Sequence, residues 1–173
     1  MTSLNFFLER IATPIGQMLL VTDAQQQLRA IDWHDHEDRM HLLMRRQYRD
    51  TPIDLRETAR ISDAARAIQA YFDDDIAAIA ALPVALGGTG FQRQVWAALR
   101  DIPAGRTISY RDLAIRIGRP AAIRAVGLAN GANPIGVVIP CHRVIGSNAS
   151  LTGYGGGLHR KQWLLEHEKA IPA

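Results

Sequence analysis

Apolar and polar residues follow one another in the first third of the chain in a way that is typical of β-strands. Residues 4–11, 17–22 and 27–33 are rich in large apolar side chains, and turn-forming residues separate them. The first separating segment, residues 13–16, contains a proline and a glycine, and the second is residues 23–26. We therefore predict three N-terminal strands, of which the last two form a hairpin.

Helical spacing replaces the strand pattern between residues 40 and 72. The apolar residues of a first helix are Met40, Leu43, Met44 and Tyr48. Those of a second helix are Ala64, Ala65, Ile68, Tyr71 and Phe72. Three aspartates at residues 73–75 follow the second helix. We interpret them as its solvated end rather than as a metal site, because no further cluster of ligand residues is near.

A glycine-rich segment, residues 86–90, separates two halves of opposite charge. Residues 1–88 contain 9 Arg, no Lys and 13 Asp plus Glu, which is a net charge of −4. Residues 89–173 contain 9 Arg, 2 Lys and 4 acidic residues, which is +7. We predict an N-terminal domain over residues 1–86 and a C-terminal domain over residues 87–173. The basic half suits a polyanionic partner, although a solvated basic surface would carry the same charge.

Three helices are predicted at the start of the basic half. Thr89 and Gln92 have the spacing of a capping box, and an apolar stripe follows them. Ser109 can cap a second helix that ends at Gly118. A proline can begin the third helix, predicted over residues 120–130, at its first position. Two helices joined by a glycine turn indicate a helix-turn-helix, although a helical hairpin packed inside the protein has the same pattern.

The chemistry-bearing segment follows a continuous apolar run, residues 135–139, which we predict to be a buried strand. The next residues are Pro140, Cys141, His142 and Arg143. A basic setting lowers the pKa of a thiol, and the thiolate is the reactive nucleophile. Adjacent residues of a strand point to opposite faces, so the cysteine and the histidine can cooperate only if the chain turns at the proline.

A single acidic residue near the C-terminus completes the candidate chemistry. Glu168 lies at the end of a helix predicted over residues 160–169. It is either a surface acid, which is the usual situation of a glutamate near a C-terminus, or a group that folds back to orient His142. The residues alone leave both interpretations open.

Composition excludes several classes of protein. The chain has one cysteine, so an internal disulfide and a cysteine-rich zinc site are excluded. It has no apolar stretch of membrane-spanning length and no features of a signal peptide, so we expect a cytoplasmic protein without a membrane partner. His34, His36 and His41 lie among acidic residues, which we interpret as a solvated helix face. We predict that the protein needs no metal and no other cofactor.

The segment Ile139-Pro-Cys-His-Arg-Val-Ile145 closely resembles the active-site signature of the O6-alkylguanine-DNA alkyltransferases, also called methylated-DNA–protein-cysteine methyltransferases. Further segments resemble that family in order and spacing: residues 91–96, 102–105, 109–110, 124–127, 129–130, 133–134, 153–158 and 163–168. The resemblance is dense over residues 89–168. Over residues 1–88 it is an outline only, carried mainly by residues 11–16.

This resemblance implies a fold, an activity and a partner. The fold is α/β (α+β), with an N-terminal ribonuclease-H-like domain and a C-terminal winged-helix-like domain that contains the helix-turn-helix. The activity is DNA repair, in which an alkyl group passes irreversibly and stoichiometrically from O6-alkylguanine, and from O4-alkylthymine, to the protein's own cysteine. The partner is double-stranded DNA, bound through the minor groove with base flipping, and the protein is expected to act as a monomer.

The resemblance also implies catalytic roles for five residues. Cys141 accepts the alkyl group, and His142 holds a water that takes the thiol proton. Glu168 polarises His142. Asn133 braces the turn between the second helix of the helix-turn-helix and the active-site segment. Tyr110 helps to rotate the nucleotide and lies near the edge of the guanine.

Binding roles follow in the same way. Arg124 is expected to enter the base stack in place of the flipped guanine. The other expected DNA contacts are Tyr110, Ala125, Ala129 and Arg143. The expected base-binding residues are Val144, Tyr154 and Gly155. Relatives often have glycine where this chain has Ala149, so either the alanine is strained there or Asn148 adopts the turn conformation instead.

Three other functions remain to be weighed against this one. A non-catalytic relative would bind alkylated DNA without repairing it, but such proteins lack the acceptor cysteine. A helix-turn-helix regulator would be small and basic, but it would not need the Pro-Cys-His-Arg segment. A cysteine hydrolase would use a cysteine, a histidine and an orienting group, but it would turn over repeatedly.

Overall fold

The computed structural model describes residues 2–171, which form a mixed α/β protein. The chain divides into two compact units, the first ending at Gly88 and the second beginning at Thr89. The elements of the first unit, in chain order, are β1 (Leu4–Thr13), β2 (Gly16–Asp23), β3 (Leu28–Trp33), α1 (Glu37–Gln47), β4 (Ile53–Glu57) and α2 (Asp63–Phe72). Those of the second are α3 (Gly90–Arg100), β5 (Ile108–Ser109), α4 (Tyr110–Arg116), α5 (Ile123–Gly131), β6 (Val144–Ile145) and α6 (Leu158–His167).

The first unit is built on a four-stranded sheet in the order β3-β2-β1-β4. The three predicted strands and the hairpin between the last two are confirmed, with β1–β2 and β2–β3 antiparallel. The prediction missed β4, which pairs in parallel with β1 at the edge of the sheet. This strand is only five residues long, and three of them, Asp54, Arg56 and Glu57, are charged. Charged residues are usual on edge strands, so the apolar signal of β4 is weak.

Both helices predicted in the first unit are confirmed. On one face of the sheet, Met40 and Met44 of α1 join Phe6 and Leu8 of β1 in a buried apolar cluster. At the start of α2, the Ser62 hydroxyl accepts a hydrogen bond from the Ala65 amide and caps the helix. Burial of these apolar stripes supplies most of the stability that helices of this length lack by themselves.

In the second unit, α3 begins at the predicted capping box. The Thr89 hydroxyl accepts from the Gln92 amide, and the Gln92 side chain accepts from the Thr89 amide. Trp96 on the buried face of α3 donates its indole N–H to the carbonyl oxygen of Ala129 at 2.9 Å. This hydrogen bond ties α3 to α5 and fixes which face of α5 is turned inward.

The helix pair α4 and α5 has the predicted outline, with one correction. Ser109 caps α4 by accepting from the Asp112 amide, and Gly118 adopts a φ of 75° in the turn, a conformation that favours glycine. The second helix begins at Ile123 and not at Pro120, so the predicted first position is wrong. The proline lies instead in a turn closed by a hydrogen bond from Ala122 N to Arg119 O. A proline permits a helix start but does not enforce one.

The helices of the described residues 2–171 are too short or too polar to cross a membrane.

Candidate active site

The segment that leads to the cysteine is a buried loop, not the predicted strand. Ile135, Val137 and Ile139 are fully buried, but Val137 has a φ of 70° and the Ile139 amide donates to the Ile135 carbonyl. Asn133 replaces the missing strand partners, because its Nδ2 donates to Ile139 O at 2.7 Å and its Oδ1 accepts from Ile135 N at 3.0 Å. The apolar run therefore predicted the burial of residues 135–139 correctly but their strand conformation wrongly. The side-chain amide of Asn133 holds them as a loop.

The chain turns at Pro140, as the prediction required. Residues 141–143 form one turn of 3-10 helix, and β6 follows at once and pairs in parallel with β5. The turn lets Cys141 and His142 both face the interior, where each is buried. The side-chain amide of Asn130, in the last turn of α5, lies 3.5 Å from the carbonyl oxygen of Cys141. The backbone of Cys141 therefore lies next to the end of α5.

Glu168 folds back onto the histidine, which decides between the two interpretations of this residue. Its Oε2 lies 3.0 Å from His142 Nε2, and both side chains are fully buried. Arg143 donates to the same carboxylate through Nε and Nη2, at 2.9 Å each, and through Nη1 to the carbonyl oxygen of Ile102. Histidine, glutamate and arginine therefore form one buried polar cluster.

The pKa values of this cluster follow from burial and charge. Burial lowers the pKa of His142, and the nearby positive charges of Arg143 and Lys161 lower it further, against the opposing effect of Glu168. Burial alone would raise the pKa of Glu168, but His142 and Arg143 outweigh it and hold that pKa below its ordinary value. We conclude that the glutamate is ionised and the histidine is neutral at neutral pH.

A neutral His142 has a defined tautomer in this arrangement. An ionised carboxylate can only accept hydrogen bonds, so His142 Nε2 must carry the proton that it donates to Glu168. The other ring nitrogen, Nδ1, is then a base with a lone pair. Within the described residues this buried atom has no hydrogen-bond partner. A buried basic nitrogen of this kind can act as a general base.

Two residues predicted to contact DNA are buried instead, which corrects those predictions. The guanidinium of Arg143 is engaged by Glu168 and Ile102, and the residue is only 7% exposed. Ala129 lies on the inner face of α5, where its carbonyl meets Trp96. The sequence around Arg143 does not indicate that this residue is buried, because its partner Glu168 lies twenty-five residues later in the chain.

Lys161, a lysine of α6, is fully buried and was not among the predicted site residues. Its ammonium donates to Val144 O at 2.6 Å, to Thr152 O at 3.0 Å and to Gly153 O at 3.3 Å. Burial lowers the pKa of Lys161 to about 8, and the charge of Cys141 opposes that shift. One sequence signal was available: Lys161 is one of only two lysines in the chain, and it lies three residues before the apolar pair Leu164 and Leu165 on a helix.

The expected base-binding residues lie close to Lys161, which contacts Val144 directly and Gly153 just before Tyr154. Val144 is buried, whereas Tyr154 is half-buried and Gly155 is exposed in the turn that ends at Gly157. The Tyr110 hydroxyl donates to the Thr152 carbonyl at 3.2 Å, so it holds the same loop as Lys161. Burial raises the pKa of Tyr110, and the charge of Cys141 adds to that shift. Tyr110 therefore stays a hydrogen-bond donor at neutral pH.

The remaining expected DNA contacts are accessible. Arg124 and Ala125 are exposed in the first turn of α5. Ala149 is exposed as well, and its φ of 64° shows that the alanine itself adopts the left-handed conformation. The alternative in which Asn148 takes that conformation is wrong; its side chain instead accepts a hydrogen bond from Ser150 N.

The described residues contain no candidate metal site. Within residues 2–171, no three side chains of histidine, cysteine, aspartate or glutamate are placed to hold a metal ion. His34 and His36 both lie beside Asp35, and His41 beside Glu37, as exposed or half-buried pairs.

Comparison with known proteins gives a consistent result. Residues 90–170 match the model of the 6-O-methylguanine DNA methyltransferase DNA-binding domain. The chain is 50% identical to the methylated-DNA–protein-cysteine methyltransferase of Salmonella typhimurium over 92% of its length and 94% of that protein. It is 42% identical to the one from Methanosarcina barkeri, with the same shares covered.

Solved structures agree. The crystal structure of the O6-methylguanine methyltransferase of Mycobacterium tuberculosis has a TM-score of 0.74 and 39% identity, covering 97% of this chain and 96% of that one. The OGT protein of the same organism in complex with DNA has a TM-score of 0.71 and 38% identity, covering 95% and 93%. This chain therefore belongs to the methylated-DNA–protein-cysteine methyltransferase family.

Proposed function

We propose that this protein repairs DNA by moving an alkyl group from O6 of guanine to the sulfur of Cys141. The observation that carries this proposal is that the buried Cys141 is followed directly by His142, which the buried carboxylate of Glu168 orients and leaves with a basic nitrogen. The reaction is a single transfer per molecule, and the repaired strand and the alkylated protein are its products.

The chemical step balances with the groups present. His142 Nδ1 takes the thiol proton, through one water where the distance requires it, and Glu168 stabilises the imidazolium that forms. The Cys141 thiolate then attacks the saturated alkyl carbon. A carbon–sulfur bond forms and the carbon–O6 bond breaks. The electron pair of that bond stays on guanine as a delocalised anion, which takes back the proton from the His142 imidazolium through water, and the neutral guanine remains in the repaired strand.

The transfer is irreversible because the thioether has no good leaving group. The chain has no second cysteine that could receive the alkyl group from Cys141. A hydrolase would need a water to attack the cysteine adduct, and a saturated thioether carbon resists that attack. These points favour repair over repeated turnover, and the presence of the cysteine favours repair over binding alone.

The base must leave the duplex before it can reach a buried sulfur, which costs a few kcal/mol of unstacking. We propose that α5 lies in the minor groove and that Arg124 fills the gap in the stack. The exposed first turn of α5, with its small Ala125 next to Arg124, supports a close approach to DNA. Asn130 links the last turn of the same helix to Cys141.

Val144, Tyr154 and Gly155 are proposed to hold the extruded base. A carbonyl oxygen has two lone pairs, so Val144 O can accept from the base as well as from Lys161. The hydrogen bond from the Tyr110 hydroxyl to the same loop supports a role for Tyr110 in holding the base. The proposed fold assignment is ribonuclease-H-like for the first domain and winged-helix-like for the second. We also propose that O4-alkylthymine is a substrate and that the protein acts as a monomer.

Mass spectrometry after mixing with duplex DNA that contains O6-methylguanine tests this function. We expect each protein molecule to gain one methyl group, on Cys141, and the gain to stop at one equivalent. The Cys141→Ala variant is the matched control. Absence of the adduct, an adduct on another residue, or catalytic turnover would each contradict the proposal.

A further inference from the structure

The most exposed large apolar side chain of residues 2–171 is Leu128, which is 70% exposed on α5. A single exposed leucine is unremarkable by itself, so its position is what matters. It lies four residues after Arg124, so the two side chains share one stripe of the helix. The opposite stripe contains the buried Val126, Ala129 and Asn130.

This orientation of α5 is held in place from inside the protein. The Ala129 carbonyl accepts the Trp96 indole N–H, and the Asn130 amide reaches the carbonyl of Cys141. Rotation of the helix to bury Leu128 would break both contacts. The leucine therefore stays on the surface.

The charges around Leu128 indicate what kind of partner that is. Arg124 on the same stripe is exposed, and no acidic residue occurs within α5. Across the helix-turn-helix, residues 110–131, the exposed charged residues are Arg111, Asp112, Arg116, Arg119 and Arg124. A partner that is anionic around an apolar interior fits this surface. The minor groove of duplex DNA has that chemistry, with phosphates along its edges and deoxyribose carbons along its walls.

We infer that Leu128 is an apolar minor-groove contact, packing against the deoxyriboses beside the extruded nucleotide. This inference rests on the proposed function. Arg124 fills the space of the lost base, and Leu128, one turn later, excludes water from the adjoining wall of the groove. Other proteins that bind the minor groove also place apolar side chains there, in their case between base steps. The contact is independent of base sequence and, because it releases no counterions, independent of salt.

Duplex binding by four variants tests the inference. Leu128→Ala and Leu128→Gln remove the apolar contact, the second with little change in size, whereas Leu128→Met keeps it. Leu42→Ala is the matched control, because Leu42 is an exposed leucine of α1 in the acidic N-terminal unit. Dissociation constants for a duplex containing O6-methylguanine are measured at four salt concentrations.

We expect Leu128→Ala and Leu128→Gln to weaken binding about tenfold at every salt concentration, with the slope of log K against log salt unchanged. Leu128→Met and Leu42→Ala are expected to bind like the wild type. Equal binding by all variants would overturn the inference, as would a changed salt slope or full binding by the glutamine variant. If Leu128→Ala instead changes self-association in sedimentation without DNA, the face belongs to a second copy and the inference is wrong. Failure of the proposed function is recognised separately, because wild-type protein would then not react with free O6-benzylguanine.

Discussion

The ammonium nitrogen of Lys161 lies 2.6 Å from the carbonyl oxygen of Val144, inside the protein and beside the proposed acceptor cysteine. Through Thr152 and Gly153 the same nitrogen holds the loop that precedes Tyr154. A lysine is rarely buried without paired groups, because its charge loses hydration. Here three carbonyls replace the water. We interpret Lys161 as the residue that keeps the proposed base-binding loop attached to β6.

The first prediction concerns the pH dependence of this attachment. The pKa of Lys161 is lowered to about 8, so its charge is present below that pH and is lost as the pH rises through it. A neutral amine has only two hydrogens for three acceptors, so the loop should loosen. We expect the rate with free O6-benzylguanine to fall above about pH 8. Lys161→Met should be slow at all pH values and should lack this descending limb, which single-turnover rates between pH 6 and 10 would reveal.

Stability should change with pH in the opposite direction. Between about pH 8 and the ordinary lysine value of 10.5, the unfolded chain binds more protons at this site than the folded one. The free energy of unfolding contributed by Lys161 therefore rises with pH across that window. Urea unfolding of wild type and Lys161→Met at pH 7 and pH 10 compares the two. An identical pH response in both proteins would rule out a lowered pKa at this lysine.

A second prediction concerns Glu168. Glu168→Ala leaves the buried Arg143 without a compensating charge, so we expect it to lose about 3–5 kcal/mol of unfolding free energy. Glu168→Gln keeps some hydrogen bonds and should lose less, but it should slow methyl transfer because the imidazolium is no longer stabilised. Asp54→Ala, which breaks the exposed pair with Arg56, is the control and should cost less than about 1 kcal/mol.

Acid should weaken the same cluster. Because the folded-state pKa of Glu168 is below its ordinary value, the stability it contributes is fully present above that ordinary value and is lost as the pH falls below it. Wild type should therefore lose stability on acidification more steeply than Glu168→Gln. Parallel curves for the two proteins would show that the carboxylate is not stabilised in the folded state.

A third prediction concerns the acceptor. Cys141→Ala removes the sulfur and little else from a buried position, so transfer should be abolished while DNA binding is retained. Gel-shift titration and transfer assays on the same preparation measure both properties. An alanine variant that still removes alkyl groups from DNA would show that another residue is the acceptor.

A fourth prediction separates base flipping from binding. Arg124→Ala should slow repair of duplex DNA much more than reaction with free O6-benzylguanine, because the free base needs no extrusion. Each 1.4 kcal/mol of lost support for the flipped state reduces its population about tenfold. Arg116→Ala, at another exposed arginine, is the comparison. A mere phosphate contact at Arg124 would be rescued by saturating DNA, as we expect for Arg116, whereas a flipping defect would persist in single-turnover rates.

A fifth prediction follows from backbone strain at Ala149. A non-glycine residue with a φ of 64° pays about 1 kcal/mol or more for its Cβ, so Ala149→Gly should raise the unfolding free energy by up to about 1 kcal/mol. Ala97→Gly, at an exposed helical position in α3, should lower it by a similar amount. Thermal unfolding of both variants shows whether each substitution raises or lowers the unfolding free energy. Destabilisation by Ala149→Gly would mean that the loop gains from the stiffer residue.

Local rules account for what the sequence by itself determined. The strands of the hairpin, the helices α1 to α4 and the capping groups Thr89 and Ser109 were all predictable, because neighbouring residues decide them. The turn that brings Cys141 and His142 to one side was also predictable, from Pro140 alone. The family followed from linked motifs spread over the second half of the chain.

Only the tertiary structure decided how the site is assembled. Glu168 meets His142 across twenty-six residues, Arg143 turns inward to the same carboxylate, and Lys161 enters the interior. It also decided that residues 135–139 form a loop, because Asn133 supplies hydrogen bonds that a strand would have taken from a neighbour. Apolar periodicity indicates which residues are buried. It does not indicate which distant polar group forms hydrogen bonds with the polar atoms that are buried among them. The identity of that partner depends on how whole helices and strands pack, because a buried charge is stable only if a compensating partner is buried beside it.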